Sequence, residues 1–151
     1  MRRILFILIA AMLVLVACTP AAGQEAESSA EATLLVKVGD TQKSFSAEDL
    51  GALPSTESTF TDVAYKGVTV SDLLVSLSVD PDLVIAVKAV ASDGFTVNYD
   101  PAQILKDNVI VAYALADGSP MSADDGTFRM VLPDEEGKLN PRMLVELQVI
   151  Q

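Results

Sequence analysis

Residues 34–151 predict an α+β domain, a mixed β-sandwich or barrel-like sheet with about three short helices. Three observations point there. Strand-like segments outnumber helical ones by about eight to three. Asp93-Gly94 and Asp117-Gly118 are tight-turn dipeptides set between apolar runs. Few connections have the length of a βαβ crossover, which argues against a doubly wound parallel sheet.

The elements follow in order. LLVKV from Leu34 reads as a strand, Gly39-Asp40 as a turn, and Lys43 to Phe45 as the returning strand of a hairpin. Ser46 is a helix N-cap with Glu48 and Asp49 in the first turn, where negative charge suits the helix dipole, and Pro54 closes the helix. TESTFTDV (56–63) alternates and is β-prone. Tyr65-Lys66-Gly67-Val68 reads as a turn into a second helix, with Ser71 as its cap and Val70, Leu73, Leu74 and Leu77 on one face. Asp80-Pro81-Asp82 breaks that helix. VIAVKAVAS (84–92) is apolar on both parities except for Lys88, a strand buried on one face and largely covered on the other. After the Asp93-Gly94 turn, Phe95, Val97 and Tyr99 alternate with Thr96 and Asn98. Asp100-Pro101 opens a short helix, the cap preceding a proline at the first helical position. VIVAYALA (109–116), FRMVL (128–132) and MLVELQVI (143–150) complete the strands.

The first eighteen residues, MRRILFILIAAMLVLVAC, pair two arginines with an apolar run from Ile4 to Val16. That run is shorter than the roughly 20 residues a spanning helix needs, so it reads as an export signal. Leu15-Val16-Ala17-Cys18 resembles the lipobox of bacterial lipoproteins. The resemblance implies a signal peptide over 1–17, lipidation of Cys18, and a bacterial cell-envelope location, lipid-anchored to the outer face of a membrane. Residues 19–33 are small, polar and acidic and read as a disordered tether with a reach of about 20 Å.

Charge and composition exclude several functions. The chain carries 10 Lys and Arg against 21 Asp and Glu. Loss of a leader holding Arg2 and Arg3 leaves 8 against 21, a net charge of −13. Such a surface repels phosphate backbones, so nucleic acid is not an expected partner. There is no His and a single Cys, at position 18. The domain therefore has no imidazole base, no His metal ligand, no internal disulfide and no thiolate ligand.

The candidate chemistry is correspondingly thin. Asp80, Asp82, Asp117, Asp124, Asp125, Asp134, Glu135 and Glu136 are numerous enough for acid–base work or Ca²⁺. Nearly all flank Gly or Pro, however, where acidic side chains serve turns, and no spacing matches an EF-hand. Lys88 could be an activated nucleophile but more commonly snorkels from a half-exposed face. Tyr65, Tyr99 and Tyr113 could line a pocket but read as core residues with wet hydroxyls. No phosphate-binding Gly loop or nucleophile elbow is present.

Five segments in order carry a resemblance: Ser46–Pro54, Gly67–Leu74, Ser92–Phe95, Val111–Pro120 and Thr127–Pro133. Together they resemble the molybdopterin-binding oxidoreductase domain, the sulfite-oxidase-type fold, over nearly all of Leu34 to Ile150. In the enzymes of that family a Cys between the first two helices ligates molybdenum. The matching segment here, Ser58 to Gly67, has none. The family's Gly-Gly-Pro loop is replaced by Asp124-Asp125-Gly126-Thr127. Of the basic residues that hold the pterin phosphate, Arg129 matches, with Lys138 and Arg142 nearby. The expectation is a kept scaffold that has lost its cofactor and serves as a binding or interaction module for an unidentified protein or small molecule. Two alternatives stand beside it. One is a molybdopterin-dependent oxidoreductase or redox subunit holding the cofactor without a Cys ligand, through Arg129, Lys138, Arg142 and backbone amides; the other is a solute-binding lipoprotein.

Overall fold

The computed structural model describes residues 32–151. The expected signal peptide, the lipidation site Cys18 and the tether up to residue 31 lie outside the described residues; Ala32 and Thr33 are exposed.

The domain contains nine strands. They are β1 (Leu34–Val38), β2 (Thr41–Phe45), β3 (Thr56–Phe60), β4 (Val63–Thr69), β5 (Ala86–Ala91), β6 (Thr96–Tyr99), β7 (Ile110–Leu115), β8 (Arg129–Val131) and β9 (Leu144–Ile150). Three short helices join them: α1 (Ala47–Gly51), α2 (Val70–Ser76) and α3 (Pro101–Ile104). A five-stranded sheet has the order β2-β1-β9-β5-β6 and a four-stranded sheet the order β3-β4-β7-β8. Every pairing is antiparallel except β1 with β9, which is parallel and joins the two ends of the domain. The mixed α+β architecture with three short helices is the one the sequence predicts.

Local chemistry fixes most boundaries. Ser46 caps α1 in a capping box: its Oγ accepts from Asp49 N, and the Asp49 carboxylate accepts from Ser46 N. Asp100 and Gln103 do the same at α3, with Pro101 in the first turn. The α2 cap differs from expectation. It is Thr69 rather than Ser71, its Oγ1 accepting from Asp72 N at 3.0 Å.

Residues 65–68 are also not a turn. They lie within β4, paired to β7, with a bulge between Lys66 and Gly67. Gly67 is required there because a Cβ would collide with the Val111 carbonyl. Phe95 departs from the expected alternation, because it lies in the turn before β6 and is 47% exposed, while Val97 and Tyr99 are buried.

The main core fills the space between the inner face of the five-stranded sheet and one face of the four-stranded sheet. Leu34, Val36, Val87, Ala89, Leu147 and Val149 meet Val68, Val111 and Met130, with Leu50, Leu73, Leu74 and Ile104 from the helices. Side chains alternate along a strand, so Ile110, Ala112 and Val131 point to the other face of the four-stranded sheet. There they join Tyr65 in a second, smaller cluster, against which Phe60, Leu115 and Met121 pack. This second face carries the site.

Candidate functional site

Arg129 opens β8 on the parity of Val131, so it projects into the smaller cluster, and it is 5% exposed. The β3–β4 hairpin lays two aromatic rings on its guanidinium, Tyr65 at 4.7 Å and Phe60 at 5.6 Å from ring centroid to Cζ. Nη1 donates to the Asp125 carboxylate at 2.6 Å and to the Tyr65 hydroxyl at 2.8 Å. Burial raises the Tyr65 phenol above its ordinary value; Arg129 pulls it down and Asp125 pushes it up.

Asp125 is held from its own loop. Ser122 Oγ donates to its second carboxylate oxygen at 2.9 Å. Its backbone N–H returns to Ser122, and its carbonyl accepts from Met143 N at 2.7 Å. Gly126 follows with φ +74, packed so tightly on Met143 that a Cβ would lie 2.9 Å from its Cα. Met143 itself has φ +50. The carboxylate is thus fixed by a crossing of two constrained segments.

Arg129 and Asp125 form one wall of a groove of about 490 Å³. Phe60, Thr61, Val63 and Tyr65 from the hairpin form another, and Asp124, Asn140 and Arg142 close it. Arg142 is exposed and has no ion-pair partner within 4.0 Å among the described residues. Of the three basic residues expected at a cofactor site, the fold brings Arg129 and Arg142 to one groove. Lys138 lies beside the groove on an exposed turn, paired with Glu136 at 2.8 Å.

The other candidates separate cleanly. Asp80, Asp117 and Asp134 are exposed, and each bonds a neighbouring backbone or side chain. Lys88 is half-buried on the outward face of β5, opposite Asn98 and Gln148, in the other sheet. Tyr99 is core, its hydroxyl donating to the Leu139 carbonyl at 2.7 Å. Burial pushes that phenol far above the ordinary range. Asp125 corrects the reading of the acidic residues as solvated turns: it is 8% exposed and paired. Ser122, three residues before, marks the local turn that Asp125 closes but not its burial or its pairing with Arg129.

The whole described domain matches the family model for the oxidoreductase molybdopterin binding domain, over residues 28–151. The chain belongs to that family. Among solved structures it is similar to the sulfane dehydrogenase SoxCD from Paracoccus pantotrophus, with a TM-score of 0.64 and 18% sequence identity. The likeness covers 79% of this chain but only 38% of that one, and at this identity it is a likeness of fold. No curated protein matches the chain.

Family membership allows a test of the residues present against the family's cofactor. The Ser58–Gly67 segment does reach the Arg129 groove, but it does so as the β3–β4 hairpin, offering Phe60, Thr61 and Val63. No thiol exists anywhere in residues 32–151. The one deeply placed guanidinium is engaged by a carboxylate, and Asp124 adds a second acid to the wall. A thiolate-ligated metal on an anionic pterin does not fit this donor set.

Proposed function

We propose that this member of the molybdopterin-binding family works without the cofactor, as a lipid-anchored extracytoplasmic domain whose groove binds a partner or small ligand. The observation that carries the reading is Arg129 with its charge already met by Asp125, in a groove with no thiol. Lipid anchoring at Cys18 is supported by the arginines, the apolar run and the Leu15–Cys18 box in the sequence. The acidic surface favours a protein or solute partner over nucleic acid.

A second reading keeps the cofactor, held by Arg129, Arg142, Lys138 and backbone amides; the convergence of Arg129 and Arg142 on one groove favours it. One measurement separates the two. The full chain is produced in a host that makes molybdenum cofactor, and molybdenum and pterin are assayed per folded chain. The expected result is a folded protein with neither. Near-stoichiometric pterin or molybdenum transfers the conclusion to the second reading.

A further inference from the structure

Arg129 has the features of an anion socket. Its guanidinium is buried, so its field is little screened, and two rings fix its plane. Nη1 is fully engaged. Nη2 has no hydrogen-bond partner among the described residues, although no buried side-chain nitrogen is left unsatisfied. That edge of the guanidinium therefore opens on the groove, where Arg142 supplies a second cation.

We propose that the chain supplies the occupant of this socket itself: the Asp125 carboxylate holds the position on Arg129 that an exogenous tetrahedral oxyanion would take. The inference deepens the cofactor-free reading of the groove and rests on it. Three observations make Asp125 a fixed plug rather than a gate. Its carboxylate reaches Nη1 at 2.6 Å; Ser122 and Met143 N anchor its loop; and Gly126 is wedged on Met143. An intramolecular carboxylate outcompetes a dissolved anion because its effective concentration is far higher. Asp124 on the same wall adds repulsion.

The test uses the full chain and inorganic phosphate, with chloride at matched ionic strength as the reference. Wild type should show no phosphate-specific change in Tm. Asp125→Ala should gain one, a rise of about 4 °C when phosphate exceeds Kd about fivefold. The gain should vanish in Asp125→Ala with Arg129→Gln. A folded Asp125→Ala indifferent to phosphate overturns the proposal, as does a gain that survives loss of Arg129 or a wild type that already responds. Should Asp125→Ala fail to fold, Asp125→Ser, whose shorter side chain also vacates the position on Nη1, takes its place. If neither folds alone, recovery of folding by phosphate supports the socket, and no recovery overturns it. Failure here is distinct from failure of the function: wild type that purifies with pterin removes the cofactor-free reading, whereas empty wild type with an indifferent variant removes only the plug.

Discussion

Asn140 holds the chain between Leu132 and Arg142 with one buried amide. Its oxygen accepts from Leu132 N at 2.6 Å, and its nitrogen donates to the carbonyls of Leu132 and Glu136 at 3.3 and 3.1 Å. Removing it leaves the buried Leu132 N–H without a partner, while the Leu132 and Glu136 carbonyls still accept from Glu135 N and Leu139 N; one such buried orphan costs on the order of 1–3 kcal/mol. Asn140→Ala should therefore destabilise the domain by about 2 kcal/mol in denaturant unfolding. A loss below about 1 kcal/mol would mean that water replaces the amide and the loop is not organised by it. Legibility at this scale is uneven for a physical reason. Arg129 could be found by resemblance, but Asp125 sits between Asp124 and Gly126 and looks like any turn acid. Its burial is created by Phe60 and Tyr65, more than 50 positions away in the chain, and no local pattern encodes that. Asn140 likewise gave no sign, because its partners are backbone groups that only the folded loop presents.

Among the elements, the β3–β4 hairpin shows where sequence patterns succeed and fail. Capping chemistry was readable at α1 and α3 because each motif completes itself within about four residues. β4 was misread because Lys66-Gly67 resembles a turn, whereas the glycine answers a steric demand from Val111 on a strand 44 positions later. The hairpin's own turn lacks the usual signal. Thr61 and Asp62 both take positive φ, 48° and 64°, between the directly paired Phe60 and Val63. Such a two-residue turn favours Asn-Gly or Asp-Gly, and a β-branched threonine at positive φ is strained. The strain sits at the rim of the groove, where backbone outliers commonly serve a function. Replacing Asp62 by Gly should relieve part of it and stabilise the domain by roughly 0.5–1 kcal/mol, raising Tm by about 3 °C. An unchanged or lower Tm would show that the Asp62 side chain repays its conformation through a contact of its own.

For the whole molecule, acidity and stability pull in opposite directions as pH falls. With 21 acidic residues against 10 basic ones, protonating carboxylates relieves self-repulsion and favours the compact state. Against this stand carboxylates whose ionised forms the fold stabilises. Glu146 is the most enclosed of those whose proton affinity is lowered. It lies on the outward face of the five-stranded sheet, accepting from Gln148 and bonded to Lys37 at 2.9 Å. The Gln148 hydrogen bond, then the bond and charge of Lys37, holds its carboxyl below the ordinary 4.5, and burial works the other way. A carboxyl lowered in the folded state gives stability that is fully present above the unfolded value. It is lost as pH falls through the folded one, because over that interval the unfolded chain binds more protons. Self-repulsion acts on wild type and Glu146→Gln almost equally, so their difference isolates this group. Wild type should exceed the variant by somewhat under 1 kcal/mol at pH 7, the range of a part-exposed pair. The gap should close as pH drops through and below the ordinary carboxylate range. A gap that stays constant to low pH would assign the Glu146 contribution to packing across β1, β9 and β5 rather than to its charge.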